Sequence, residues 1–135
     1  MLIEYPASVV ILAIDGDSVV TVRQRRAGAG GATVELPAGC LEPGEDPLGA
    51  AVRELREECS LAASSWRELG EFWAAPDYST EWVTAFLATG LRVQAGRPAP
   101  DEDIEVQRLA LSAVPGALSD AVSVAAFGLW LADSR

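Results

Sequence analysis

The sequence predicts an α+β fold: a sheet with one charged helix in the middle of the chain and one apolar helix at its end. Three observations carry this reading. A β-branched run opens the chain, SVVILAI over residues 8–14. Apolar residues then recur at helical spacing after Asp46-Pro47. Further strand-like runs follow before a last stretch in which apolar residues again recur every three or four positions.

Ser8 to Ile14 reads as a buried strand, since no polar residue interrupts it. Asp15-Gly16-Asp17 is a turn, and Val19 to Val22 is the second arm of a hairpin. Residues 27–32, AGAGGA, form a flexible loop, and Thr33 to Leu36 is a short strand stopped by Pro37. A long loop, PAGCLEPGED, leads to a helix with Asp46 as N-cap and Pro47 at its first position. Leu48, Ala51, Val52, Leu55 and Cys59 give that helix one apolar stripe. Trp66 to Ala75 and Trp82 to Thr89 are strands, Gly96 to Pro100 is a loop, and Ile104 to Leu111 is an alternating strand. Ser119 caps a final helix with Val122, Ala125, Ala126, Leu129 and Trp130 on its apolar side. There is no repeat and no linker, so residues 1–135 are expected to form one domain.

Composition excludes several chemistries. All ten basic residues are Arg; Lys, His and Asn are absent. Without His there is no Ser-His-Asp or Cys-His catalysis and no imidazole metal ligand. Without Lys there is no Schiff base and no phosphate lysine of the P-loop type. A net charge of −10 argues against a nucleic-acid or anionic-membrane partner. Cys40 and Cys59 make no disulfide framework, the start MLIEYP lacks a basic signal region, and no apolar stretch spans a membrane. The expected compartment is the cytoplasm. The acid is unevenly placed: residues 42–58 and 101–105 together hold eight of the ten net negative charges.

The middle helix carries the candidate chemistry. Glu54 and Glu58 lie four apart on one face, and Glu57 sits beside it. Arg53, four before Glu57, is placed to pair with it. Converging carboxylates repel unless a cation separates them, and hard oxygen ligands suit Mg²⁺ or Mn²⁺. Taken alone, this segment reads as a solvated helix face laced with ion pairs; the surrounding pattern changes that.

The wider pattern resembles a known family. GCLEPGEDPLGAAVRELREECSL, residues 39–61, is similar to the Nudix box G-x5-E-x7-R-E-U-x-E-E-x-G-U, with Ser60 standing where the second glycine belongs. The resemblance implies a mixed β-sheet packed between helices, an α/β/α sandwich, and Mg²⁺-dependent hydrolysis of a diphosphate linkage, with Mn²⁺ as a substitute. It implies Glu54, Glu57 and Glu58 as metal ligands, joined by the Ala38 carbonyl, with Glu57 and Glu58 catalytic. Gly39, Glu45 and Arg53 are then structural.

The flanks resemble the ADP-ribose pyrophosphatase branch. Glu35-Leu36-Pro37-Ala38-Gly39 matches its E-L-P-A-G, Arg23-Gln24-Arg25-Arg26 is similar to its R-Q-Y-R, and Pro76 falls where that branch has a marker proline. By this resemblance Arg26, Glu35, Tyr78 and Glu81 bind substrate, and Glu102 in the second acid cluster is a late catalytic carboxylate. Trp82 is a second aromatic candidate for base stacking. The implied partner is a small nucleoside diphosphate derivative, ADP-ribose being the favoured example. Two alternatives stay open: a nucleoside triphosphate or dinucleoside polyphosphate pyrophosphatase, and a non-catalytic nucleotide-binding regulatory module. A monomer and a homodimer are both compatible with the sequence.

Overall fold

A computed structural model describes residues 1–95 and 104–133. Within them the chain runs β1 (Ser8–Asp15), β2 (Ser18–Arg26), β3 (Gly31–Glu35), β4 (Ala38–Cys40), α1 (Pro47–Cys59), β5 (Leu61–Trp73), β6 (Trp82–Val93), β7 (Ile104–Ala110), α2 (Val114–Ala117) and α3 (Ala121–Asp133). The strand order is β3-β2-β1-β6-β5, with β4 also on β1 and β7 also on β2. Only the β1–β6 pairing is parallel among the named strands.

The uninterrupted run in β1 has a simple cause: both its faces are covered. Val9, Ile11 and Ala13 pack toward α1 with Ala50, Ala51, Leu55 and Phe86. Val10 and Leu12 pack toward α3 with Val83, Ala85, Ala126 and Phe127. Burying every side chain of a strand leaves no room for polar alternation. The result is the expected sandwich of helix, sheet and helix.

The hairpin forms as read, but only at its tip. β1 and β2 pair through Ile14↔Val19 and Asp15↔Ser18, and then β2 turns away to pair with β3 and β7. The edge of β1 so vacated is taken by β4, through Ser8↔Cys40 to Val10↔Ala38. The chain crosses this split at Leu36-Pro37, where the Pro37 carbonyl accepts from Ile11 N–H at 2.9 Å. β4 lies inside the stretch expected to be loop; it is too short and too Gly-rich to announce itself.

Three further details depart from expectation. In α1, Leu48 and Val52 are 43% and 40% exposed, and the buried stripe is Ala50, Ala51, Leu55 and Cys59. Two alanines let the helix seat closely on the sheet, and this rotation carries Glu54 and Glu58 inward with the stripe. In α3, Asp120 rather than Ser119 caps the first turn, its carboxylate accepting from Ser123 N–H at 3.1 Å. The buried face of α3 is Ser123, Ala126 and Phe127. The short helix α2 was not foreseen, and the expected 96–100 loop lies outside the described residues. Among the described residues no helix is long and apolar enough to cross a membrane.

The start of α1 agrees with its sequence signals: Asp46 accepts from Gly49 N–H at 2.8 Å, with Pro47 first in the helix. Its end is strained. Ser60 closes the helix at φ 56°, ψ 41°, the only non-glycine at positive φ among the described residues. A side chain in this left-handed region costs on the order of 1 kcal/mol. Ser60→Gly is therefore expected to raise the melting temperature by about 3 °C in calorimetry, and an unchanged or lower value would show that the strain is absent.

Candidate active site

The loop before α1 folds around one guanidinium. Arg53 is 14% exposed, and each of its five N–H groups has an acceptor. Nε donates to Glu45 Oε2 at 2.8 Å; Nη2 donates to Glu45 Oε1 and to the Cys40 carbonyl, each at 2.9 Å. Nη1 donates to Glu54 Oε1 at 2.9 Å and Glu57 Oε2 at 3.2 Å. Glu45 in turn accepts from Glu42 N–H at 3.0 Å, which closes the loop on itself. The Arg53 hydrogen bonds hold the Glu45 carboxyl down at about 2, and Glu45 and Glu54 together raise Arg53 above its ordinary value.

Gly39 meets this arrangement at close range. A Cβ built on it would lie 2.2 Å from the Glu54 carboxyl carbon, so any side chain here would expel the acid. Glu54 and Glu58 stand one turn apart on one face of α1, close enough for carboxyl-to-carboxyl hydrogen bonding. Burial, reinforced by the Glu54 charge and that hydrogen bond, pushes Glu58 up to about 8, against a backbone hydrogen bond from Ala38. Burial likewise raises Glu54, opposed by Arg53. Glu58 Oε2 is buried with no hydrogen-bond partner.

A metal ion fits this pair on chemical grounds. The donors are hard oxygens, one is buried and unsatisfied, and the charge is low enough in dielectric to need a countercharge. Glu57 does not join them directly; it faces Arg53, and its side chain is 37% exposed. No cluster of three or more acids or cysteines forms a finished metal site among the described residues. Two carboxylates beside the Ala38-Gly39 backbone are what the fold supplies.

In front of Glu58 lies a cleft of about 680 Å³. It opens at the split between β1 and β2, and its walls include Arg26, Glu35, Ala38, Gly39, Glu58 and Glu81. Five of the sequence-derived site positions thus reach one cavity with Glu58. Arg26 and Glu35 meet as a fork, Nε and Nη2 each 2.9 Å from a Glu35 oxygen, and Thr33 Oγ1 donates to the same carboxylate at 2.5 Å. Burial pushes Glu35 up, but these hydrogen bonds outweigh it and leave the acid below its ordinary value. Glu35 thus orients Arg26, which lines the cleft.

Tyr78 does not line this cleft. It is 50% exposed, and its carbonyl accepts from Ile3 N–H at 2.6 Å, which ties the N-terminal segment alongside the 78–81 turn. That segment delivers Tyr5 to the cleft instead. Trp82 packs edge-on against Trp73, ring centroids 4.7 Å apart, and is likewise outside the cleft lining. Glu102 lies outside the described residues. Ser8, Cys40, Ser119 and Asp120 line the cleft without having been singled out for it. Ser8 alone carried a signal, as the polar first residue of an otherwise apolar run.

Two outcomes follow from this geometry. Arg53→Lys, which keeps the charge but offers three donors for five acceptors, should lower unfolding free energy in urea by about 2–4 kcal/mol; a change below 0.5 kcal/mol would refute the clamp. For Glu58, the folded state keeps a proton that the unfolded chain releases near 4.5. Metal-free protein should therefore lose stability as pH rises from about 4.5 to about 8, and level off above. Thermal melts in chelator across this range should show the fall in wild type and not in Glu58→Gln.

Comparisons with known proteins complete the description. The NUDIX domain family matches residues 4–127. An ADP-ribose pyrophosphatase of Mycobacterium tuberculosis is 45% identical over 98 residues, 71% of this chain and 47% of that protein. An ADP-ribose pyrophosphatase of Bacillus subtilis is 35% identical over 113 residues, 82% of this chain and 61% of that one. A methanol dehydrogenase activator of Bacillus methanolicus is 33% identical over 112 residues, 82% of this chain and 60% of that one. The chain thus spans about half to three-fifths of these relatives. Among solved structures, an ADP compounds hydrolase superposes with TM-score 0.84 at 24% identity, covering 95% of this chain and 74% of that one. A NUDIX hydrolase from Nitrosomonas europaea gives 0.78 at 20% identity, covering 97% and 92%. Both structural likenesses concern the fold.

Proposed function

From the premise that the chain belongs to the NUDIX family, we propose that it hydrolyses the diphosphate linkage of a nucleoside diphosphate derivative with the aid of Mg²⁺. The favoured reaction is ADP-ribose and water to AMP and ribose 5-phosphate. The observation that carries this is the Glu54–Glu58 pair beside the Ala38-Gly39 backbone, with a buried Glu58 oxygen that has no partner. The names of the Mycobacterium and Bacillus subtilis relatives support the choice of ADP-ribose.

Glu54, Glu58 and the Ala38 carbonyl would hold the cation, and Glu57 would join them on leaving its contact with Arg53. When bound, a divalent cation supplies the positive charge that admits an anionic diphosphate to an acidic wall and polarises its phosphorus. The chain's own residues do the remaining work. Arg26, steadied by Glu35, offers its free N–H groups to diphosphate oxygens. Arg53 keeps the box acids in register from behind and, with all five donors engaged, has none left for substrate. A water attacks phosphorus, the bridging P–O bond breaks, and a carboxylate takes the water's proton; Glu57 and Glu102 are the candidates for that base. The expected setting is the cytoplasm.

The test is a panel of ADP-ribose, other nucleoside diphosphate sugars, a nucleoside triphosphate and a dinucleoside polyphosphate, assayed with Mg²⁺ and with Mn²⁺. ADP-ribose should give the highest kcat/KM. Glu58→Gln should lose on the order of 10³-fold in kcat while remaining folded. Turnover of none of the panel, or full activity in Glu58→Gln, would overturn the proposal.

A further inference from the structure

The cleft has a second wall that faces no cation. Glu81, just before β6, makes no salt bridge among the described residues, although it shares the cleft with Glu58 and Arg26. Its carboxylate is nonetheless held: Ser8 Oγ donates to Glu81 Oε2 at 2.6 Å. Ser8 is buried at the start of β1, and the parallel register Ser8↔Val83 fixes it next to the start of β6. Behind it stands Cys40 Sγ, 3.9 Å from Ser8 Oγ, and Tyr5 lines the same part of the cleft. A hydroxyl has one proton to give, and the 2.6 Å contact to a carboxylate is where it goes. The start of β1, β4 and the start of β6 thus meet around one acid, which Ser8 holds.

A carboxylate fixed in this way accepts and cannot donate. Oε1 and the second lone pair of Oε2 remain for hydroxyl or amine donors, and a phosphate oxygen brought to the same place would be repelled. Glu81 lines the same cleft as Arg26 and Glu58, so a substituent of a diphosphate bound between those two would meet this wall. A substituent bearing neighbouring hydroxyls suits the wall, and a further phosphate does not.

We propose that Ser8 is a positioning residue that aims the Glu81 carboxylate at the hydroxyls of the group attached to the diphosphate, and so selects hydroxyl-bearing diphosphate esters over substrates with an additional phosphate. This rests on the diphosphatase reading above and names its substrate class. Ser8 touches the carboxylate and not the reacting phosphorus, so its loss should appear in binding of one substrate class and leave the chemical step alone.

The experiment compares wild type, Ser8→Ala and Ser8→Thr. Steady-state kinetics is run on ADP-ribose and on ATP, whose diphosphate carries a further phosphate. Equilibrium binding is measured by calorimetry with their non-hydrolysable α,β-methylene analogues. Ser8→Ala should raise KM and the analogue Kd for ADP-ribose about tenfold, with kcat within twofold and the constants for ATP unchanged; Ser8→Thr, which keeps the hydroxyl, should restore the wild-type preference. Equal effects on both ligands, or none on either, would overturn the positioning role while wild-type turnover leaves the diphosphatase reading standing. Absence of both turnover and analogue binding in wild type would overturn that reading, and this inference with it. A circular dichroism melt checks that Ser8→Ala is folded; if it is not, Glu81→Gln in the same assays must show the same loss of ADP-ribose preference, and its failure to do so counts against the proposal.

Discussion

Everything at this site depends on one guanidinium having as many acceptors as donors. Arg53 joins α1 to the loop that precedes it through Glu45 and the Cys40 carbonyl, and joins neighbouring turns of α1 through Glu54 and Glu57. A planar five-donor fork can satisfy this set, and a point charge on a flexible stem cannot. With Arg53 so engaged, Glu54 is pinned against Gly39, and Glu58 is left facing it one turn on. The acidic helix face is therefore no solvated surface. It is a half-buried cluster whose repulsion is balanced on one side by Arg53 and left open on the other.

That asymmetry explains the charge distribution. A net −10 on a chain of 135 residues is mostly a property of two short segments. The first of them is pressed between a helix and a short strand, where desolvation raises the cost of each carboxylate. Folding tolerates this cost because the hydrophobic faces of β1 are buried twice over, by α1 and by α3. Stability is thus invested in a site that favours protonation, or a cation, over a bare anion pair.

The strands were legible because their causes are local: β-branched runs, a turn at Asp15-Gly16-Asp17, a Pro stop. The cap and first turn of α1 were legible for the same reason. What escaped was set by long-range packing. The rotation of α1, which exposes Leu48 and Val52, depends on how closely Ala50 and Ala51 meet the sheet. β4 exists because β2 leaves an edge of β1 vacant. At the site, Glu54 and Glu58 could be read from their spacing on a helix. Glu81 was named by its place after the proline loop, but its partner Ser8 and the neighbouring Tyr5 and Cys40 could not be read, because parallel pairing of β1 with β6 joins residues more than seventy positions apart. Tyr78 was chosen for its place in sequence, whereas the tie between Ile3 and the 78–81 turn brings Tyr5 to the cleft in its stead.

The central claim is that Glu58, raised to about 8 by burial and by Glu54 beside it, gives up its proton when a cation binds. Proton release on metal binding measures this directly. Adding Mn²⁺ to weakly buffered, metal-free protein at pH 7, followed by pH-stat titration, should release about one proton per ion bound, and Glu58→Gln should release none. Binding without proton release, or release that persists unchanged in Glu58→Gln, would contradict the account.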